Sequence, residues 1–275
     1  MQNLRDRTAV ITGAGSGIGR AIALALADAG TRIVVSDIQE EPARAVADEV
    51  RARGVRALAV TCDVAKHASV VSLADSAYAE FGAVDILCNN AGVSWRPYRS
   101  ILDATLEDIQ RVLGVNYWGV LHGLTVFLPR MRKQAGEKHI VNTASLAGIF
   151  PHEGHIAYSS SKAAIVNLSE VIAHELAPHG FGVTILCPGA VPTNLGDNTV
   201  RLHGDAGETR SFDPVERPTM ARMATFPLPS AEPVGVMVRN AIIDNTLYLH
   251  TNPLPYDLVA ERVHTLFGPQ TVGRT

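Results

Sequence analysis

Seven short apolar runs, separated by longer stretches of helical period, constrain this chain more than any other feature. The runs fall at 8–12, 32–36, 55–61, 84–88, 139–143, 183–187 and 246–250. Helical patterns cover 17–29, 41–53, 69–81, 106–131 and 158–179. Alternation of this kind builds βαβ units, which assemble into a parallel sheet covered by helices on both faces. The runs are continuously apolar rather than alternating, as strands buried on both sides require. The prediction is an α/β fold: a Rossmann-type doubly wound parallel sheet of about seven strands, in a single domain over 1–275. A chain of 275 residues with 47 % hydrophobic content can bury such a core without staples.

Composition narrows the function. The formal net charge is −3 and no basic stripe stands out, so nucleic acid is not an expected partner. The ten histidines are scattered without metal-ligand spacing, and no metal is expected. Cys62, Cys88 and Cys187 lie in or beside apolar runs, are odd in number and form no CxxC. They read as small buried core residues in a reducing compartment. The opening MQNLRDRTAVITG carries no apolar signal core, and no stretch is read as a membrane span. A cytoplasmic protein without a membrane partner is expected.

The first run ends in Thr12-Gly13-Ala14-Gly15-Ser16-Gly17-Ile18-Gly19 and leads into the helical RAIALALADAG. A glycine-rich string between a strand and a helix allows a tight turn and close approach of a pyrophosphate. The helix N-terminus then offers N–H groups and the positive end of its dipole. The second run ends at Asp37, near the spacing of an acid that accepts bonds from the ribose hydroxyls of NAD. A carboxylate there would repel a 2′-phosphate, and no basic residue follows directly in DIQEEP. Asp37 can also cap the following helix, and the two roles are compatible.

Further motifs follow in order. They are Cys62-Asp63-Val64, Asn89-Asn90-Ala91-Gly92, then Asn116, Ser145, Tyr158 and Lys162, and finally Pro188-Gly189 with Val191 and Thr193. With the TGxxxGIG turn, this set resembles the short-chain dehydrogenase/reductase family from Thr8 to Asn194. The resemblance implies an NAD-dependent enzyme interconverting an alcohol and a ketone. It implies that Gly13, Ser16, Gly17, Ile18 and Gly19 hold the pyrophosphate and that Cys62, Asp63 and Val64 hold the adenine. Asn90, Ala91 and Gly92 would complete the cofactor turn, and Pro188, Gly189, Val191 and Thr193 would contact the nicotinamide end. Asn116, Ser145, Tyr158 and Lys162 would form the catalytic set, with Tyr158 and Lys162 also touching the cofactor. Asn116 would hold a water linking Lys162 to solvent, unless it is a purely structural amide. The chemistry suits the residue types. Oxidising an alcohol removes a hydroxyl proton while a hydride leaves the carbon, and a phenolate can take that proton. Lys162 lies four residues after Tyr158 on one helix face, where an ammonium favours the phenolate. Ser145 can fix the substrate oxygen.

The substrate region is less defined. Loop tips expected beyond the strand ends carry Trp95, Leu146, Ile149, Phe150 and Val191, suggesting a bulky, largely uncharged aryl or alicyclic substrate. Trp95, Leu146, His152, Ser145 and Tyr158 are the candidate substrate contacts. His152 and His155 can touch substrate or sit solvated in their loop. Arg96 and Arg99 are read as rim residues, the other reading being a site for an anionic group. Residues 193–233 are rich in proline, glycine and charge, and are read as a substrate lid. Met220, Met223, Phe226 and Leu228 within it would close over an apolar ligand, or pack on the body or a neighbouring subunit. The resemblance fades after Asn194. The ending NTLYLHTNPLPYDLVAERVHTLF lacks the glycine-rich strand motif of many acyl-thioester reductases and is similar to a subgroup that includes dehydrogenases of aryl secondary alcohols. A non-enzymatic dinucleotide sensor on the same fold is an alternative, though such proteins typically lose the tyrosine or lysine kept here. An extended-type sugar-nucleotide epimerase is a further one. The resemblance also implies a homodimer or homotetramer, paired through the helices at 106–131 and 158–179.

Overall fold

The computed structural model describes residues 1–95, 98–196, 199, 216, 218–223, 230–254 and 256–268. Its strands are β1 (Thr8–Thr12), β2 (Arg32–Asp37), β3 (Ala57–Thr61), β4 (Ile86–Asn89), β5 (Lys138–Thr143), β6 (Phe181–Cys187) and β7 (Tyr248–His250). They pair in parallel in the order β3-β2-β1-β4-β5-β6-β7. The chain winds outward from β1 in one direction and from β4 in the other. The crevice beyond the carboxyl ends of β1 and β4 is therefore the switch point where ligands bind in such sheets. Every residue of β1, β4 and β5 is buried, whereas β3 at one edge and β7 at the other are largely half-buried.

The helices are α1 (Gly17–Ala27), α2 (Glu40–Arg51), α3 (His67–Phe81), α4 (Leu106–Leu113), α5 (Gly119–Met131), α6 (Leu146–Ile149), α7 (Ile156–Leu176), α8 (Pro218–Met223), α9 (Ala231–Asp244) and α10 (Tyr256–Phe267). On one sheet face Ile22 and Leu26 of α1, Val46 and Val50 of α2, and Val238 and Ile242 of α9 close one core. On the other, Leu73 of α3, Leu124 and Phe127 of α5 and Ile165 of α7 close a second. Gly235 lets α9 press against α1, since a Cβ there would stand 2.2 Å from the carbonyl oxygen of Ala21. All three cysteines are buried and free.

The helix expected at 106–131 is continuous, but a single π-helical turn at Gly114–Trp118 separates α4 from α5. Thr105 starts it with a capping box: its hydroxyl accepts from the N–H of Asp108, whose carboxylate reaches back to the N–H of Thr105. Contrary to the sequence expectation, Leu106–Met131 is long and apolar enough to cross a membrane. That holds by length and composition only; the segment packs against α3, β4 and α7.

Candidate active site

A cavity of about 630 Å³ opens at the carboxyl end of the sheet. Its wall contains every residue that the sequence proposes for the cofactor, from Gly13 to Thr193, together with Ser145. One half is built on β1, β2 and α1. Gly13 and Gly17 have φ of +64° and +52°, which glycine adopts without strain. A Cβ at Gly19 would stand 2.1 Å from the Gly13 carbonyl oxygen, so the turn folds this tightly only with glycine there. Ser16 is the N-cap of α1 but makes no side-chain capping bond, and no acidic residue occupies the first turn. The helix end therefore suits an anion. Asp37 ends β2 facing this turn, its Oδ2 accepting from the N–H of Gly15 and its Oδ1 from that of Gln39, each at 3.0 Å.

Thr12 ties this half to the next. Its hydroxyl oxygen accepts from the N–H groups of Asn90 at 3.0 Å and Ala91 at 3.1 Å, while the Asn90 amide donates to the Thr12 carbonyl at 3.0 Å. Thr143 at the end of β5 then donates to Asn90 Oδ1 at 3.3 Å. The sequence reading did not single out Thr12 or Thr143; their position at strand ends beside the glycine turn and the NNAG turn was the available signal.

The other half rests on β5, β6 and α7. Tyr158 and Lys162 share a face of α7, with Nζ 5.7 Å from the phenol ring centre. Lys162 is almost fully buried, and Nζ donates to the carbonyl of Thr143 at 2.8 Å. Burial brings its ammonium down to about 8. The packing around the Tyr158 hydroxyl raises that group above the ordinary phenol range, opposed by a hydrogen bond with Ser145. Ser145 is the N-cap of α6, its Oγ accepting from the N–H of Ala147 at 3.1 Å and donating to the carbonyl of Pro188 at 3.4 Å. His155 is buried and stacks on the Tyr158 ring at 4.8 Å, with His152 and Tyr98 packed on its own ring.

Other candidates land elsewhere. Asn116 is fully buried in the π turn, its Oδ1 accepting from the N–H of Val93 at 2.8 Å and its Nδ2 donating to the Val93 carbonyl at 2.9 Å. In that position it fastens the loop after β4 and lies off the cavity wall. Trp95 and Leu146, expected at the substrate, are 2 % and 3 % exposed within packed clusters and do not line the cavity. Both are large apolar side chains close to the body of the protein, and burial under neighbouring helices favours the core over the ligand. His152 is half-buried and also off this wall. Arg99 is not a rim residue. It is 7 % exposed, lies over the Trp95 ring at 4.4 Å and pairs with Asp108 at 2.7 Å. Burial pushes the Asp108 carboxyl up, but the hydrogen bond from the Thr105 hydroxyl, then the Arg99 charge, the Thr105 N–H and Arg111 together hold it below the usual carboxylate range. Arg96, Phe226, Leu228 and most of 193–233 lie outside the described residues, as do the side chains of Met220 and Met223.

With this arrangement in view, the sequence matches the short chain dehydrogenase family over residues 7–202. A 1-deoxy-11-beta-hydroxypentalenate dehydrogenase of Streptomyces exfoliatus is 32 % identical over 250 residues, covering 91 % of this chain and 84 % of its own. A short chain dehydrogenase/reductase of Burkholderia phymatum, solved in complex with NAD, matches with a TM-score of 0.84 at 34 % identity, covering 97 % of this chain and 95 % of its own. An NAD⁺-bound xylitol dehydrogenase matches with a TM-score of 0.77 at 30 % identity, covering 91 % and 99 %. The chain belongs to the short chain dehydrogenase family, and it is an oxidoreductase of that kind.

Proposed function

We propose that this protein interconverts a secondary alcohol and a ketone with NAD(H), Tyr158 serving as general acid and base. The observation that carries the reading is the meeting of Tyr158, Lys162 and Ser145 with the glycine turn and Asp37 around one cavity. The glycine turn and the start of α1 would hold the pyrophosphate, Asp37 the adenosine ribose, and Cys62, Asp63 and Val64 the adenine. Asn90, Ala91, Gly92, Pro188, Gly189, Val191 and Thr193 would complete the bed for the rest of NAD. When bound, nicotinamide supplies or accepts the hydride.

The chain's own residues handle the proton. In ketone reduction the Tyr158 hydroxyl donates to the carbonyl oxygen, with Ser145 sharing that oxygen. The Lys162 ammonium, held in place by the Thr143 carbonyl, favours the phenolate left behind. A water beside the π turn that Asn116 fastens would return a proton to Lys162 from solvent. In alcohol oxidation each step runs backward, and the phenolate takes the hydroxyl proton.

The substrate is read as bulky and largely uncharged. Val93, Val191 and Leu195 give the cavity apolar wall, and Asp108 neutralises Arg99, which had suggested an anionic substrate. Residues 193–233 are proposed as a lid. In support, Thr219 of α8 donates to Glu153 at 2.7 Å, in the loop that carries His152 and His155. A cytoplasmic homodimer or homotetramer is proposed, with exposed Trp118 and Val171 on the pairing helices. The test is NADH formation with an aryl secondary alcohol, 2-propanol and a small hydroxy acid. The aryl alcohol is expected to show the highest kcat/KM, and preference for either small substrate would refute the apolar site.

A further inference from the structure

The segment after β7, where the family match has already ended, reaches back into the site. In the sheet Cys187 of β6 stands beside His250 of β7, so the turns that follow, Pro188-Gly189 and Thr251-Asn252, leave the sheet together. The N–H of Gly189 donates to both Thr251 Oγ1 and Asn252 Oδ1, each at 3.2 Å. Thr251 Oγ1 donates in turn to Asn252 Oδ1 at 2.7 Å. Asn252 is 8 % exposed, and a Cβ at Gly189 would stand 2.5 Å from its Oδ1, so the fit needs glycine.

The other end of the same peptide unit is also held. The carbonyl of Pro188 accepts from the N–H of Leu146 at 2.9 Å and from the Ser145 hydroxyl at 3.4 Å. One peptide plane, rigid by resonance, is thus pinned on its oxygen side by the start of α6 and on its nitrogen side by the turn after β7. Rotation of that plane would break bonds at both ends and would move the Ser145 hydroxyl along with the cavity wall at Pro188 and Gly189.

We propose that Asn252, assisted by Thr251, is a positioning residue that sets the Pro188–Gly189 peptide and, through it, both Ser145 and the nicotinamide end of the cavity. This rests on the NAD reading above. It assigns a role to a motif, LHTNPLP, that lies outside the matched 7–202.

Calorimetric titration of NAD into wild type, Asn252→Leu, Asn252→Asp and Thr251→Val tests it, alongside melting curves and kcat. Asn252→Leu removes the acceptor, and NAD binding is expected to weaken about five-fold or more, with kcat falling as Ser145 shifts. Asn252→Asp keeps the acceptor and is expected to lie within about two-fold of wild type. Thr251→Val is expected to weaken binding about two- to three-fold, and it carries the test if the leucine variant does not fold. A folded Asn252→Leu protein with unchanged NAD binding and kcat would overturn the inference. So would an aspartate variant as impaired as the leucine one, because it keeps the shape and the acceptor oxygen and would place the effect on the amide donor or the added charge instead. If wild type itself binds no NAD, the cofactor reading falls first and takes this one with it.

Discussion

The two halves of the cavity are built on opposite principles. In the cofactor half, the chemistry lies in groups whose needs are met locally. Asp37 is held by two backbone N–H groups, and the glycine turn is shaped by steric room and by backbone hydrogen bonds to Ser36 and Asp37. In the catalytic half, ionisable groups are held away from their ordinary behaviour. Lys162 is brought down to about 8 and Tyr158 is raised, both chiefly by loss of solvent. Recognition of a constant cofactor is served by a satisfied, rigid bed. Proton transfer needs groups whose charge is easily changed, and such groups lower the stability of the fold that holds them.

The comparison is tested most severely at Tyr158. Tyr158→Phe is expected to lower turnover by two to three orders of magnitude or more, about 3–4 kcal/mol of barrier, while NAD binding stays within a few-fold of wild type. Steady-state rates beside calorimetric NAD titration separate the two effects. Loss of NAD binding in a folded Tyr158→Phe protein would mean that the halves are not separable.

Lys162 comes next. A drop from 10.5 to about 8 corresponds to about 3 kcal/mol of stability, at about 1.4 kcal/mol per pH unit. Lys162→Met removes that penalty but orphans the Thr143 carbonyl, so a net gain of about 1–2 kcal/mol is expected at pH 7 with turnover severely reduced. The sign in pH follows from linkage. Between about 8 and 10.5 the unfolded chain binds the lysine proton more tightly, so wild type gains stability as pH rises through that window. The advantage of the variant should therefore shrink from pH 8 to 10.5, as urea melts at several pH values would show. A wild-type protein more stable than the variant at pH 7 would contradict the assignment of strain to this half. The same titration bears on catalysis. Ketone reduction draws on a neutral phenol beside an ammonium, so its rate should fall as pH climbs through about 8, whereas alcohol oxidation should rise with pH.

The smallest effect is expected at Asp37, and its stability change has the opposite sign. A preference for NAD over NADP of at least about ten-fold, or 1.4 kcal/mol, should narrow in Asp37→Ala, mainly through weaker NAD binding. The protein should also lose about 1 kcal/mol of stability, because Gly15 and Gln39 lose their acceptor. Equal kcat/KM for the two cofactors in wild type would remove the ribose role from Asp37.

How much of this was legible in the sequence differs between the halves for the same physical reason. The glycine turn, Asp37 and the Tyr158–Lys162 spacing are local. A tight turn, a strand-end carboxylate and two residues four apart on a helix are specified within a few positions of the chain. The alternation of apolar runs likewise determined the doubly wound sheet, because burial on two faces leaves few other ways to place them. What surrounds the catalytic pair was decided by tertiary packing. Trp95 and Leu146 read as ligand contacts because an apolar side chain on a loop tip looks the same whether it meets substrate or core. Arg99 read as a rim residue until Asp108, nine positions on and fixed by the Thr105 cap, supplied its counter-charge. Thr12 meets Asn90 across 78 positions, and Gly189 meets Asn252 across 63. Bonds of that separation exist only once β1 lies beside β4 and β6 beside β7, so no pattern along the chain could announce them.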